Sequence, residues 1–305
     1  MGEEPDFIIT ISSYHIKLYK GALLPYFSKR NKHMFSIIIS ILISVSLSCS
    51  KPADVNRTGG VSNNTGENIP SRSTDETPEG LRRLVMAYPD FLDSADANHL
   101  YWKDGTVMEY DDGEDKSFEE LLDYGDLEDQ MAQDYVPGAD YEIPAKNFDP
   151  GRIRSEEFFL KMYGGSASEV QSKMVTIPWM PNSINSSVSI TSVNGVDEQL
   201  MKVSEELDNL PEDLKKYVTK TAGTFNWRVI AGTNRLSMHS FAIAIDINTD
   251  YSNYWRWEKN TTYKNQIPME IVEIFEKYGF IWGGKWYHYD TMHFEYRPEL
   301  LVKGG

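Results

Sequence analysis

The segment 236–248, LSMHSFAIAIDIN, sets one imidazole and one carboxylate, His239 and Asp246, in an otherwise apolar run. A carboxylate in such surroundings is costly unless it is paired or bound to a metal. Seven residues of strand would separate the two by roughly 23 Å and seven of helix by roughly 10 Å, whereas two ligands of one zinc ion must each approach it within about 2.2 Å. For both to serve one ion the chain must turn back between them, at residues 240–242. A second segment, 287–296 (YHYDTMHFEY), places Asp290 three residues ahead of His293. Together the segments offer His239, Asp246 and His293 as metal ligands, with a fourth position for water and Asp290 nearby as a carboxylate base.

Composition narrows the remaining classes. The chain of 305 residues, 40% hydrophobic, is long enough for one large domain or two small ones with a buried core. Its net charge of −16 argues against a partner held by phosphate neutralisation, so nucleic-acid binding is not expected. The single cysteine, Cys49, excludes an intramolecular disulfide and thiolate-rich zinc sites, leaving histidine and carboxylate to hold any metal. Residues 104–142 carry 15 acidic side chains against one basic, Lys116, and account for nearly all of the net charge. Asp111, Asp112, Glu114 and Asp115 invite a calcium reading, but their spacing around Gly113 does not follow the alternating-ligand calcium loop, and a solvated acidic face is expected.

The strongest apolar stretch, 35–47, has 13 residues and follows a basic run containing Lys29, Arg30 and Lys32. It is too short for a spanning helix, which needs about 20 residues, and its basic, apolar, small-residue order is that of an export signal. Cys49 falls where a lipoprotein signal keeps its lipid-bearing cysteine, so a periplasmic or cell-envelope location with a lipid anchor at Cys49 is expected. Because 33 residues precede Met34, that methionine is expected as the initiator and 1–33 as an over-extended start. Residues 34–48 are then the signal and 49–80, poor in large apolar residues, a flexible linker.

Periodicity predicts a helix over 197–210, with Leu200, Val203, Leu207 and Leu210 on one face, and a short one after Pro211 containing Leu214, Tyr217 and Val218. Another is expected over 268–278, with Pro268 in its first turn and Gly279 stopping it. Residues 188–193, 225–230, 242–247 and 292–296 read as strands. Trp227 and Trp282 are assigned to the core, Trp286 to the rim of a groove, and Gly283-Gly284 to a turn that uses backbone angles other residues avoid.

The pattern Ser237-x-His239-x-x-Ala242-x-Ala244-x-Asp246, followed by Trp282-Gly-Gly-Lys-Trp286 and Asp290-x-x-His293-Phe-Glu295, resembles the zinc peptidases of bacterial cell walls. That family groups D-Ala-D-Ala carboxypeptidases, D,D-dipeptidases and L-alanyl-D-glutamate endopeptidases. The resemblance covers roughly residues 171–302 and implies Zn2+ held by His239, Asp246 and His293. Asp290 is implied as the base that takes a proton from the attacking water and passes it to the leaving amine. Arg228 would steady the substrate carbonyl or oxyanion, with Arg235 as the alternative, and Ser237 would lie beside the metal. His288 is a rival ligand, and from its place on the strand Glu295 reads either as a partner for the outer ring nitrogen of His293 or as a surface salt bridge. Ala242 stands where the family has glycine, so the turn there is not expected to use a positive φ.

The implied fold is α+β: a small mostly antiparallel sheet with flanking helices around a mononuclear zinc site, hedgehog/D,D-peptidase-like, over 171–305. An acidic accessory region, 81–170, precedes it. The implied substrates are peptidoglycan stem peptides. One rival is an inactive zinc-containing wall-binding lipoprotein on the same scaffold, which an intact Asp290 argues against. Another is a peptidase acting on ordinary peptides.

Overall fold

A computed structural model of the chain describes residues 77–258 and 262–303, together with the backbone of 7–11 and 14–18. The export segment, Cys49 and nearly all of the linker lie outside the described residues. Strands β1 (Phe7–Ile11) and β2 (Tyr14–Leu18) pair antiparallel in an N-terminal unit of their own. Everything described from Thr77 onward belongs to a second compact unit. Among the described residues no helix is long and apolar enough to cross a membrane.

The second unit begins with α1 (Glu79–Ala87), whose Leu81 and Leu84 are fully buried. A meander follows, β3 (Leu92–Ala95), β4 (His99–Trp102) and β5 (Val107–Glu109), antiparallel in sequence order. The acidic strip then forms two short helices, α2 (Phe118–Tyr124) and α3 (Leu127–Met131). Each starts on a reciprocal cap in which the N-cap side chain and an acidic residue three positions on satisfy each other's backbone N–H, Ser117 with Glu120 and Asp126 with Asp129. Lys116, the strip's one cation, bonds Asp112 (2.8 Å), Asp126 (3.1 Å) and Asp129 (2.7 Å). Asp111, Asp112 and Asp126 lie close enough to share a metal ion, but two of them already bind that ammonium group.

Helices α4 (Glu156–Tyr163) and α5 (Ala167–Gln171) lead into the antiparallel pair β6 (Met174–Trp179) and β7 (Ser186–Thr191). Helix α6 (Val196–Asp208) buries Leu200, Val203 and Leu207 at the expected spacing. Helix α7 (Glu212–Lys215) stops short of Tyr217 and Val218, which the sequence reading had placed within it. Residues 225–230 do not form the expected strand. The Ser240 hydroxyl donates to the carbonyls of Asn226 (3.3 Å) and Arg228 (3.1 Å), and Val229 alone makes an isolated bridge, to Leu236. The segment still makes scattered backbone bonds to 235–239, the Arg228 carbonyl accepting the Ser237 amide at 2.9 Å and the Ile230 amide donating to the Arg235 carbonyl at 2.9 Å, without forming a continuous ladder.

The remaining strands, β8 (Ala244–Asp246), β9 (Phe280–Trp282) and β10 (His293–Tyr296), form an antiparallel sheet with β10 in the centre. Helix α8 (Met269–Lys277) follows Pro268 at its N-cap, and Gly279 turns the chain into β9 at φ +90°. A Cβ on Gly279 would lie 2.7 Å from the Tyr296 ring, so both backbone angle and space demand glycine. On β10 side chains alternate: Phe294 stacks on Phe275 of α8 at 3.9 Å between centroids, leaving His293 and Glu295 for the opposite face. The architecture is α+β with small antiparallel sheets and flanking helices. Residues of 81–170, among them Tyr88, Phe158 and Phe159, share one hydrophobic cluster with those of the central sheet.

Candidate metal centre

Register sets the first two ligands opposite each other, since His293 of β10 pairs with Asp246 of β8. Directly opposed residues have Cβ atoms about 4.5–5.5 Å apart, within reach of one ion. His239 arrives from a 3-10 turn, Met238–Phe241, immediately before β8. The turn back between His239 and Asp246 falls where the spacing required it. Its hinge differs from expectation: Ala242 adopts the left-handed conformation, φ 53° and ψ 39°, that glycine would take without strain. Its amide donates to the His239 carbonyl, and the Thr191 amide donates to its own carbonyl. Those bonds hold the methyl-bearing residue where its intrinsic preference would not.

Each imidazole has one nitrogen tied outward and one aimed inward. His239 Nδ1 donates to the Thr224 carbonyl at 3.2 Å, and His293 Nε2 donates to Glu295 Oε2 at 3.0 Å. The inner nitrogens, His239 Nε2 and His293 Nδ1, lie 3.1 Å and 3.0 Å from the same oxygen, Asp246 Oδ1. In the tautomer with protons on the outer nitrogens, three lone-pair donors converge, an arrangement that suits a cation at its centre; without one, protons on the inner nitrogens bond Asp246. The three ligand atoms lie within 4.8 Å of one another and could hold a metal ion. Burial would raise Asp246, but the hydrogen bonds and charges of His239 and His293 hold its carboxyl well below the usual carboxylate range. Glu295 is likewise buried, yet the His293 bond and the Arg297 charge keep it ionised, down at about 2. Glu295 thus takes the orienting position the sequence suggested.

Asp290 is half-buried beside this group, and burial together with the negative charge of Asp246 pushes its pKa up to about 7. Its Oδ1 is buried with no hydrogen-bond partner among the described residues. Its backbone is pinned by a bond from its amide to the Gly283 carbonyl (2.9 Å) and by a bridge to Tyr254. Gly283 and Gly284 form a 3-10 turn without the unusual φ expected of them. Space is the constraint instead, because a Cβ on Gly283 would come within 2.6 Å of the Asp290 carbonyl, and one on Gly284 would enter the Trp282 ring.

All these groups open into a cleft of about 430 Å³ that also receives Ser237, Arg228, Arg235 and Trp286. Arg228 is exposed, while Arg235 is buried. Trp282 is core, as expected, but Trp227 is only half-buried. Trp286 is a buried wall and not a rim residue, because its indole N–H reaches the Pro150 carbonyl at 2.7 Å. His288 is not among the converging ligands. Its Nδ1 bonds Asp149 Oδ2 at 2.6 Å and its ring packs on Trp255.

Sequence reasoning missed Arg152, Arg154 and Tyr254, which also line the cleft. Arg152 and Arg154 belong to the segment before the recognised motif and reach the site across more than 80 residues of chain, as in the 2.6 Å bond from Arg154 Nη2 to the Leu236 carbonyl. Local pattern carries no signal for such a contact.

Residues 231–296 match a family model described as D-alanyl-D-alanine carboxypeptidase. The span includes His239, Asp246, Asp290, His293 and Arg235 and excludes Arg228. It supports the resemblance carried by the motif and, with it, a peptidase whose His-His-Asp group could bind a metal. No curated protein and no solved structure matches the chain.

Proposed function

We propose that this chain is a zinc peptidase that hydrolyses peptide bonds in peptidoglycan stem peptides, of the D-Ala-D-Ala carboxypeptidase or L-Ala-D-Glu endopeptidase type. The observation that carries the reading is the convergence of His239 Nε2, His293 Nδ1 and Asp246 Oδ1 beside the half-buried Asp290, whose buried Oδ1 has no partner among the described residues. Two nitrogens and one oxygen suit zinc, and three protein ligands leave a position open, as hydrolytic sites do. When bound, zinc supplies Lewis acidity toward the scissile carbonyl and the attacking water.

The protein's own groups do the rest. Asp290, with its pKa raised into the neutral range, accepts a proton as the water oxygen forms its bond to the carbonyl carbon. It then returns the proton to the amine nitrogen as the C–N bond breaks. Arg228, exposed in the cleft with no guanidinium partner among the described residues, is free to meet the oxyanion. Ser237 and Trp286 form the wall along which the peptide lies. Export and a lipid anchor at Cys49 belong to the same reading and rest on the sequence order of 29–49.

The test is digestion of purified peptidoglycan by the full chain, before and after chelation and after zinc is restored, with fragments read by mass. Released D-Ala or new amine termini that vanish on chelation support the reading and name the bond. A zinc-loaded, folded protein that releases nothing refutes it.

A further inference from the structure

Five arginines, 152, 154, 228, 235 and 256, line one cleft of a protein whose net charge is −16. Three of them, Arg152, Arg154 and Arg235, are half-buried or buried, and of the three only Arg152 has a carboxylate within ion-pair reach among the described residues, Asp149 at 3.8 Å. Arg235 is only 4% exposed, and its Nε and Nη2 have no hydrogen-bond partner among the described residues. Its Nη1 bonds the Arg152 carbonyl. The Nη1 of Arg152 is also buried without such a partner, its nearest carboxylate oxygen, on Asp149, being 3.8 Å away. Arg154 spends its donors on the carbonyls of Arg152 (3.1 Å) and Leu236 (2.6 Å).

The neighbouring carboxylates are committed elsewhere. Asp149 accepts from the amide and ring of His288, Glu156 from the Leu236 amide, and Glu295 from His293 and Arg297. Burial and the charges of Arg154 and Arg152 push the Arg235 pKa down, the mark of a cation held where cations already crowd. Buried, unpaired guanidinium N–H groups carry a desolvation cost that nothing in the fold offsets. An anion entering the cleft would offset it, and a planar carboxylate matches the fork of arginine donors.

Building on the peptidase reading, we propose that Arg152, Arg154 and Arg235 form a subsite for a free carboxylate of the substrate peptide, beside the metal centre. Two of the three come from the segment ahead of residues 231–296, so recognition of the anion depends on a part of the chain that the family model does not reach. The carboxylate is either the peptide's own C-terminus, which makes the enzyme an exopeptidase, or that of an acidic residue within the stem, which permits internal cleavage.

The experiment separates the two sources and does not depend on turnover. The metal-stripped full chain is titrated calorimetrically with the peptide L-Ala-γ-D-Glu-L-Lys-D-Ala-D-Ala in three forms. These are the free acid, the C-terminal amide, and the form with the D-glutamate carboxylate converted to amide. One of the two amidated forms should bind at least about tenfold more weakly than the free acid, the range for a lost charge-assisted contact. The form that weakens names the recognised carboxylate.

Arg235→Gln should erase the discrimination. Because that residue is buried, Arg152→Gln, whose side chain is 13% exposed, provides the second variant, with its fold checked by circular dichroism. Equal affinity for all three forms in the wild type, or full discrimination retained by folded Arg152→Gln, overturns the subsite. If peptidoglycan is still cleaved under either of those results, the peptidase reading survives without it. Absence of binding to every form, with no hydrolysis by the zinc-loaded protein, overturns both.

Discussion

Replacing Glu295 by Gln isolates how much of the metal affinity is set by a residue that is not itself a ligand. Glu295 is 2% exposed, and its two oxygens face different partners: Oε2 accepts from His293 Nε2 at 3.0 Å and Oε1 from Arg297 Nη1 at 2.9 Å. Gln keeps the shape, removes the charge, and cannot offer an acceptor to both donors with equal strength. If its carbonyl stays on His293, its amide group faces the Arg297 guanidinium, donor against donor. If it turns, His293 loses the acceptor that holds its proton on Nε2 and its lone pair on Nδ1.

Either way the inner nitrogen becomes a weaker or less well-aimed ligand. Changes at such orienting partners typically cost about 10–100-fold in metal affinity, or about 1.4–2.7 kcal/mol. The assay is zinc competition against a chromophoric chelator at fixed pH, with circular dichroism confirming that the variant is folded. Zinc affinity unchanged within twofold would refute the reasoning, because it would mean that Trp286, 5.6 Å from the His293 ring, and the strand itself suffice to aim the imidazole.

Asp290→Asn should retain zinc and lose at least about 100-fold in peptide hydrolysis, a typical share for a general base; undiminished hydrolysis would remove Asp290 from the mechanism. With a pKa near 7 in the metal-free protein, Asp290 gives an acid limb in kcat/KM, activity rising with pH as the carboxylate forms. A bound zinc charge would lower that limb, and a kcat/KM profile with no acid limb above the pH at which zinc is released would contradict the assignment. Tyr88→Phe removes the hydroxyl that donates to Glu299 Oε2 at 2.6 Å, and urea unfolding should show a loss of about 1–3 kcal/mol for the buried acceptor left short of a donor. Ala242→Gly should leave stability within about 1 kcal/mol, because relief of the left-handed strain is offset by the lost methyl and by glycine's unfolded-state freedom. Thermal melts of Ala242→Gly and Ala242→Val check this, the valine variant being clearly destabilised.

The grouping of His239 with Asp246 was legible because the cost of an isolated carboxylate in an apolar run is a local fact, and so was the need for a turn between them. Helix α6 was legible for the same reason, its face of Leu200, Val203 and Leu207 being written in the spacing. What failed was decided by partners far away in sequence. Residues 225–230 have a strand's composition, but their backbone bonds to 235–239 are interrupted by the Ser240 side chain and leave a single bridge, Val229 to Leu236. Ala242 takes a conformation its type disfavours because backbone bonds at Thr191 and His239 hold it. The paired glycines at 283 and 284 answer to the volumes of Trp282, Trp286 and the Asp290 carbonyl, which no rule about turn angles anticipates.

The alternation of β10 explains why so much buried charge is tolerated at the end of this chain. His293, Glu295 and Arg297 succeed one another on one face, and Glu299 follows in the 3-10 turn after the strand. Each carboxylate lies between cationic or hydrogen-bond-donating neighbours: Glu295 between His293 and Arg297, Glu299 between Arg297 (2.5 Å), Tyr88 and Gln130 (3.3 Å). Arg297 Nη1 also donates to the Gly151 carbonyl at 2.7 Å, its Nη2 having no partner among the described residues, and Arg83 donates to the Glu299 carbonyl at 3.0 Å. His293 is thereby connected, bond by bond, to helices α1 and α3 and to the segment carrying Arg152 and Arg154. A chain of buried ion pairs is weak evidence for stability by itself, but removing one member leaves an uncompensated charge, which is strongly unfavourable. The geometry of the His293 ring is therefore tied to the packing of residues 79–156, and the part of the chain with no motif of its own helps hold the metal centre in register.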